Sequence, residues 1–444
     1  VNDKAEGFDL PDTPAGRQLA WWIGMLNREG DGASSADWDR YAPAVLERFG
    51  ALPEGEAQVA NWRANAGRIG KITEVVVDKA NDFEIKVAVS TAKDRRWLIA
   101  VNVEPRPPHR ITAFEVDRRH DFELGFREAT AADAAILADI ERRCPIVMGD
   151  VSVHFDRGDD YMAATRLMED CSIGLASVDG VPAAVSCGAE HVVRVGGVLK
   201  RMITVSHLRV LPEHQRKGLW GAANKVLDKY RDRTDGSNAY ISVDNLGMQH
   251  GFAGTPNKWS QTIDRAALDC AALSGPAAGR PATAADVDAV VARLNAFHDA
   301  EEMFVPYTPE SFTARVERAP DLYGWDRVWL TDGALVGAWA HGNALRAITV
   351  AAGVRTVSIS GVVLDYAFEP GAEAEFEALL RAWCGRLAGE GVDSLLIYTS
   401  PASPGADLIK SLAREVGGFF MWTPGIAVPP GAETRGLYVD AVYF

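Results

Sequence analysis

Cysteine is scarce: the chain holds five in 444 residues, and none of Cys144, Cys171, Cys187, Cys270 and Cys384 falls in a CxxC pair. That spacing fits neither a disulfide framework nor a zinc ribbon. It fits small apolar fillers in a reducing compartment, and no metal is expected. Positive charge is also short, with 46 Lys and Arg against 61 Asp and Glu and a formal net charge of −15. A protein that neutralises phosphate backbones carries the opposite sign, so no nucleic-acid partner is expected. The same field favours a cationic small substrate. No uninterrupted apolar run reaches the ~18 residues of a membrane helix, and Asp3, Glu6, Asp9 and Asp12 give the start the wrong charge for a signal peptide. The expectation is a cytoplasmic protein without a membrane partner.

What is present is apolar material for several cores: 47% of the residues are hydrophobic, and the length suggests about three domains. An internal repeat divides the chain. Arg127 to Asp133 reads REATAAD, Arg280 to Asp286 reads RPATAAD, and the Asp-Gly pairs at 179–180 and 332–333 recur at the same 153-residue offset. Thr130 and Thr283 have the character of helix N-caps, each followed by a helical apolar pattern (Ile136, Leu137, Ile140; Val290, Val291, Leu294). A small, flexible stretch from Leu273 to Gly279 links the copies. The domains expected are therefore 1–125, 126–273 and 280–444. Within the first, Thr13-Pro14 opens a helix with the apolar face Leu19, Trp22, Ile23 and Leu26, and a second helix is expected over 38–49. Strand-like runs follow at 72–78, 83–90, 97–103 and 111–116. Helices before a meandering sheet read as α+β, and this unit resembles the cone-shaped folds of the nuclear-transport-factor and steroid-isomerase type. It holds no acid–base constellation, which points to a structural or dimerising role and leaves a homodimer open.

The chemistry concentrates in the first repeat. Residues 202–211 (MITVSHLRVL) read as a strand, Pro212 to Gly218 as a short loop, and Leu219, Ala222, Ala223, Val226, Leu227 and Tyr230 as one helix face. A strand–loop–helix junction leaves main-chain N–H groups aimed at one point beside the positive helix end, a place for a diphosphate. Seven basic residues between Arg209 and Arg233, against Glu213, Asp228 and Asp232, make a local basic island in an acidic chain.

The run Leu208-Arg-Val210-Leu-Pro212-x-x-Gln215-x-x-Gly218 resembles the coenzyme A signature of the GNAT superfamily of N-acyltransferases. The expected strand at 240–243 and Asp244-Asn245 extend the match, and tandem GNAT proteins occur. The resemblance implies an α+β fold with two GNAT-like mixed-sheet domains in tandem behind the small N-terminal unit, and acetyl-CoA as cofactor. It implies that the backbones of Leu208 and Val210 pair with the pantetheine arm. The amides of Arg216, Lys217, Gly218, Leu219, Trp220 and Gly221 would hold the diphosphate, with Gln215 bracing the loop and Asn245 on the far side of the pantetheine. Trp220 stands where the family has its second small residue, with Gly221 one place late.

The activity implied is direct attack of a small amine on the thioester, which needs a base for the amine and an acid for the thiolate. The family's tyrosine position is Phe252; alternatively 245–252 is shortened and Gly251-Phe252 is the family's closing Gly-Phe. Either way the hydroxyl is missing. His250 is the nearest replacement and suits either role, Glu190 is a second candidate for the base, and Asp159, Asp160 and Tyr161 lie where the family recognises its acceptor, here an aminosugar, aminoglycoside-like or other secondary-metabolite amine. The missing tyrosine keeps a second reading open, a non-catalytic coenzyme A sensor or assembly module. In the second repeat, 364–377 aligns with the phosphate loop, holds no basic residue, and carries Asp365, Glu369, Glu373, Glu375 and Glu377. That copy is expected to have lost the coenzyme.

Overall fold

The computed structural model describes residues 8–49, 52–93, 95–119, 122–158, 160–215, 217–245, 248–249, 258–340, 346–424, 426, 429–432 and 434–443. The chain forms two compact units, residues 1–122 and 123–444. In the first, the Thr13 hydroxyl accepts from the Gly16 N–H at 3.1 Å and caps α1 (Pro14–Asn27). The expected second helix is broken: a 3-10 turn (Ser35–Arg40) is followed by extended Tyr41 and by α2 (Pro43–Phe49). Pro43 enforces the break, because its ring bars the preceding residue from helical geometry. After α3 (Gly55–Ile69) the strands β1 (Ile72–Ala80), β2 (Glu84–Thr91), β3 (Arg96–Val103) and β4 (Ile111–Arg119) form an antiparallel meander in chain order. Leu19, Trp22, Ile23 and Leu26 of α1 belong to the same buried core as the inward positions Ile85, Val87 and Ile99.

The second unit is built around one large mixed sheet. The first repeat supplies β5 (Leu124–Glu128), α4 (Ala134–Arg143), β6 (Ile146–Met148), β7 (Val151–Asp156), β8 (Asp170–Val178), β9 (Val181–Val195) and β10 (Val198–Val210). It continues with α5 (Leu219–Ala223), β11 (Gly236–Ser242) and β12 (Lys258–Asp269). The second repeat supplies β13 (Arg280–Pro281), α6 (Val287–His298), α7 (Pro309–Glu317), β14 (Val328–Leu330), β15 (Ala334–Ala340), β16 (Arg346–Ala351) and β17 (Val354–Phe368). It ends with α8 (Glu373–Gly389), β18 (Ser394–Thr399), α9 (Ala406–Leu412) and β19 (Glu415–Pro424).

The repeat is visible in atomic detail. Arg127 grips Asp133 and Arg280 grips Asp286, each at 2.6 Å, and each aspartate also closes a capping box with its threonine, Thr130 or Thr283. The guanidinium first, then the threonine amide, hold both carboxyl groups well below the usual carboxylate range.

Along the sheet the order is β13-β14-β15-β17-β18-β12-β19-β11-β10-β9-β8-β5. The last strand of each repeat is therefore exchanged. β12 pairs with β18, β19 pairs with β11, and the two exchanged strands pair with each other along Lys258–Ala267. A second bridge joins β7 to β16, supported by the Arg346–Asp156 ion pair at 2.7 Å. Exchange removes the edge that each half would otherwise present. The expected helix 219–230 is shorter as an α-helix, with 224–233 continuing as a 3-10 run, and the expected end strand over 436–444 is instead a bridge at Leu437 and a 3-10 turn, Ala441–Tyr443. No helix among the described residues is long and apolar enough to cross a membrane.

Candidate functional site

The sheet splits between β10 and β11. These strands run parallel and pair over only three residues each, Met202–Thr204 with Gly236–Asn238. Beyond that rung Ala239–Ser242 turns to β19, while β10 stays with β9 through a bulge between Ser206 and Arg209. His207, at φ +53°, makes the bulge. From Val205 onward no strand among the described residues pairs with the other edge of β10. The Leu208 carbonyl there accepts from Arg209 Nη1 at 3.0 Å, and the Val210 carbonyl from Gln215 Nε2 at 3.5 Å.

The loop after β10 turns through Pro212–His214 and reaches Gly218, which caps α5 at φ +86°, ψ 5°. That left-handed backbone is glycine's. The first N–H groups of α5 lack intrahelical acceptors. Leu219 is buried and Trp220 is exposed, so the bulky side chain in place of a small residue does not fill the loop's interior. Gly221 stands in open space. Across the split, Asn245 caps the turn after β11, its Oδ1 accepting from the Met248 N–H at 3.2 Å.

The other candidates are placed differently. His250, Asp159 and Arg216 lie outside the described residues. Glu190 is buried against Arg201 (2.7 Å) and Arg233 (2.6 Å), and neither belongs to the loop or the split. Asp160 is exposed and caps its own turn at Met162 N, with Arg166 at 3.5 Å. Tyr161 is buried and donates to Glu141 Oε2 at 2.9 Å.

A site residue that sequence reasoning passed over is the neighbour of Glu190. Successive strand residues face opposite sides, and His191 joins a relay at the foot of the split: His191 Nε2 to Thr204 Oγ1, 2.8 Å, and Thr204 Oγ1 to Asn238 Oδ1, 2.9 Å. A hydroxyl has one hydrogen; given to Asn238, it obliges His191 Nε2 to donate and leaves Nδ1 with the lone pair. The ring stacks on Tyr443, centroids 4.2 Å apart. Burial pushes the His191 pKa down to about 4, with Asp440 pulling it back. His207, in the bulge, is pushed down to about 3 by burial and then by Arg157.

Both histidines are neutral in the fold, so the unfolded chain binds more protons between about pH 6.5 and pH 3–4. Stability present above pH 6.5 is therefore lost as pH falls through that window, by roughly 3 kcal/mol for His191 and roughly 5 kcal/mol for His207. Urea unfolding at pH 7 and pH 4.5 checks this: His207→Asn and His191→Asn should each flatten the pH dependence, and an unchanged slope would contradict it.

The second half carries the same split, β17 pairing with β18 only over Ser360–Val362 and Ser394–Leu396. There it is sealed. His298 Nε2 donates to the Tyr366 carbonyl on β17 at 2.8 Å, its Nδ1 bonds Glu301, and Ser403 Oγ also donates to Glu301. Leu437 N donates to Ser400 Oγ at 2.8 Å, and all these side chains are buried. Arg315 of α7, nearly fully buried, reaches Asp365 on β17 at 3.0 Å and holds Asp440 with two bonds of 2.8 and 2.9 Å. The second half thereby carries the 437–443 segment to the first half's split.

Strand order and split together define the class of fold, a large mixed sheet shared with a solved acyltransferase structure. The particular likenesses are to Saccharomyces cerevisiae N-myristoyltransferase. A structure of it with bound myristoyl-CoA matches with a TM-score of 0.50 at 10% identity, over 83% of this chain and 91% of that one. Another, with bound myristoyl-CoA and inhibitors, matches with a TM-score of 0.50 at 12% identity, over 69% and 81%. A GCN5-related N-acetyltransferase from Kribbella flavida is more remote, with a TM-score of 0.36 at 14% identity, over 68% and 71%. No protein-family model and no curated protein matches the sequence.

Proposed function

We propose that this chain is an acyl-CoA-dependent N-acyltransferase, with acetyl-CoA the simplest donor and a small-molecule amine the acceptor. One observation carries the reading: β10, unpaired on its β11 side from Val205 onward, runs in chain order into the loop that Gly218 closes. A thioester's pantetheine arm would add along β10 as an extra strand, its amides taking the Leu208 and Val210 carbonyls from Arg209 and Gln215. The diphosphate would lie on the amides of Lys217 to Gly221 with Arg216 beside them, and Asn245 would face the arm from across the split. The GNAT-like fold it shares with N-myristoyltransferase supports this placement.

In the transfer, the amine nitrogen bonds the thioester carbon, the C–S bond breaks, and the thiolate leaves with a proton. The amine's proton goes to a base. Glu190 is committed to two guanidiniums, so the base proposed is His191, whose Nδ1 carries a lone pair at neutral pH. His250 is the proposed donor to the thiolate. The second half, sealed at its own split and acidic in its loop, would hold no coenzyme and would wall the acceptor pocket.

Calorimetry with acetyl-CoA and myristoyl-CoA, followed by thiol release across an amine panel, tests the reading. One coenzyme per chain with thiol release is expected. Binding without release across the panel would favour the sensor, and no binding heat would end both readings.

A further inference from the structure

Beside the β10 bulge lies a buried cluster whose charges do not balance. Glu141 of α4, 1% exposed, takes Arg209 Nη2 at 3.0 Å, Arg157 Nε as an ion pair at 3.5 Å and the Tyr161 hydroxyl at 2.9 Å. Two guanidiniums thus face one carboxylate. Glu141 is ionised: burial works against its charge, but Arg209 and then Arg157 outweigh that and hold it at about 2. His207 adds no negative charge, and burial pushes the nearby Cys144 thiol up to about 11, so it stays neutral. Among the described residues one buried positive charge is left over.

Three polar atoms of the cluster are also unspent. Arg157 Nε, Arg209 Nε and His207 Nδ1 are all buried and without a hydrogen-bond partner, and Arg157 and His207 are each only 9% exposed. The 3.5 Å approach of Arg157 Nε to Glu141 is an ion pair, not a hydrogen bond. The Tyr161 ring fixes the arrangement, with the Arg157 guanidinium 5.4 Å from its centroid and the His207 ring edge-on at 6.2 Å. An uncompensated buried charge with two orphaned guanidinium donors and an unpartnered imidazole nitrogen costs several kcal/mol unless something fills the place, and the complement of the guanidiniums is a small anion with planar, two-oxygen geometry. The cluster borders the split: Arg209 is on its free edge and His207 forms its bulge.

We propose that Arg157, Arg209 and His207 bind the carboxylate of the acceptor, so that the acceptor is an amino-acid-like amine and not a polycationic aminosugar. The anion site stands on the cluster alone; its assignment to an acceptor rests on the acyltransferase reading. Overall charge favours cations at long range, but two guanidiniums at the bulge decide the short range. The coenzyme's diphosphate could supply the same chemistry, and the experiment separates the two.

Thermal unfolding of the full chain is followed at pH 7.5 and constant ionic strength as chloride is replaced by acetate, with and without saturating coenzyme A. Acetate should raise the midpoint by about 2 °C or more, saturably. The rise should vanish in Arg157→Leu and grow in Glu141→Gln, which removes the one internal counter-charge and keeps the test alive should the arginine variant fail to fold. No acetate-dependent rise in the wild type, an equal rise in Arg157→Leu, or an unchanged one in Glu141→Gln would overturn the anion site. A rise that persists with coenzyme A assigns the site to the acceptor. One that coenzyme A abolishes assigns it to the diphosphate and overturns the acceptor proposal. If calorimetry shows no coenzyme binding, the acyltransferase reading fails while the acetate response still judges the anion site.

Discussion

Gly218→Val weakens acetyl-CoA binding at least about 100-fold in calorimetry, a loss of about 2.7 kcal/mol, while the folded chain persists. Gly218 sits at φ +86°, and a β-branched residue there is a steric outlier costing about 1–3 kcal/mol. The chain relieves that strain by moving the residue toward negative φ, which reorients the N–H groups at the start of α5. Converging donors are worth most when fixed in advance, so a small rotation would remove the proposed diphosphate site. Gly218 is exposed, and the core does not depend on it. Gly221→Ala is the matched control: a Cβ there meets nothing within 4 Å and its φ is not positive, so affinity should change less than about threefold. Equal losses in the two variants would mean that the loop does not grip the coenzyme.

Arg315→Met destabilises the second unit by about 3–5 kcal/mol, read by urea unfolding. Arg315 is held charged at neutral pH because Asp365 and Asp440 more than offset the burial that opposes its charge. Removing the guanidinium leaves two carboxylates in poorly solvated surroundings, with the Tyr323 hydroxyl still bonded to Asp365 at 2.6 Å. The cost comes from orphaning charge, not from losing an attraction. Combining Arg315→Met with Asp365→Asn and Asp440→Asn should therefore recover most of the stability. If the triple variant is as unstable as the single one, the loss is one of packing. The single variant should also release residues 437–443, seen as faster amide exchange there and as a His191 ring no longer stacked on Tyr443.

Local patterns were legible in the sequence for local reasons. The meander strands follow from alternating apolar residues, and β2 and β3 lie within a residue or two of their expected ranges. Caps repeat because Thr and Asp three residues apart satisfy the same N–H groups in both copies. The glycine of the loop announces itself because few residues tolerate its backbone. The partners of Glu190 were not legible for an equally local reason: nothing in the neighbouring sequence reveals that Arg201 and Arg233 close over it.

By itself, then, the sequence determined the repeat, the strand–loop–helix junction with its glycine, the four-stranded meander and the acidic character of the second copy's loop. Only the tertiary structure decided the exchange of β12 and β19, the relay His191–Thr204–Asn238, the sealing of the second split and the charge imbalance around Glu141. The first set rests on periodicity and on the backbone preferences of single residues, which act over a few positions of chain. The second set depends on which distant side chains desolvate one another, as when Asp440 comes to lie against Arg315, 125 positions earlier. Charge balance in a buried place is a sum over neighbours in space, and spacing along the chain does not contain it.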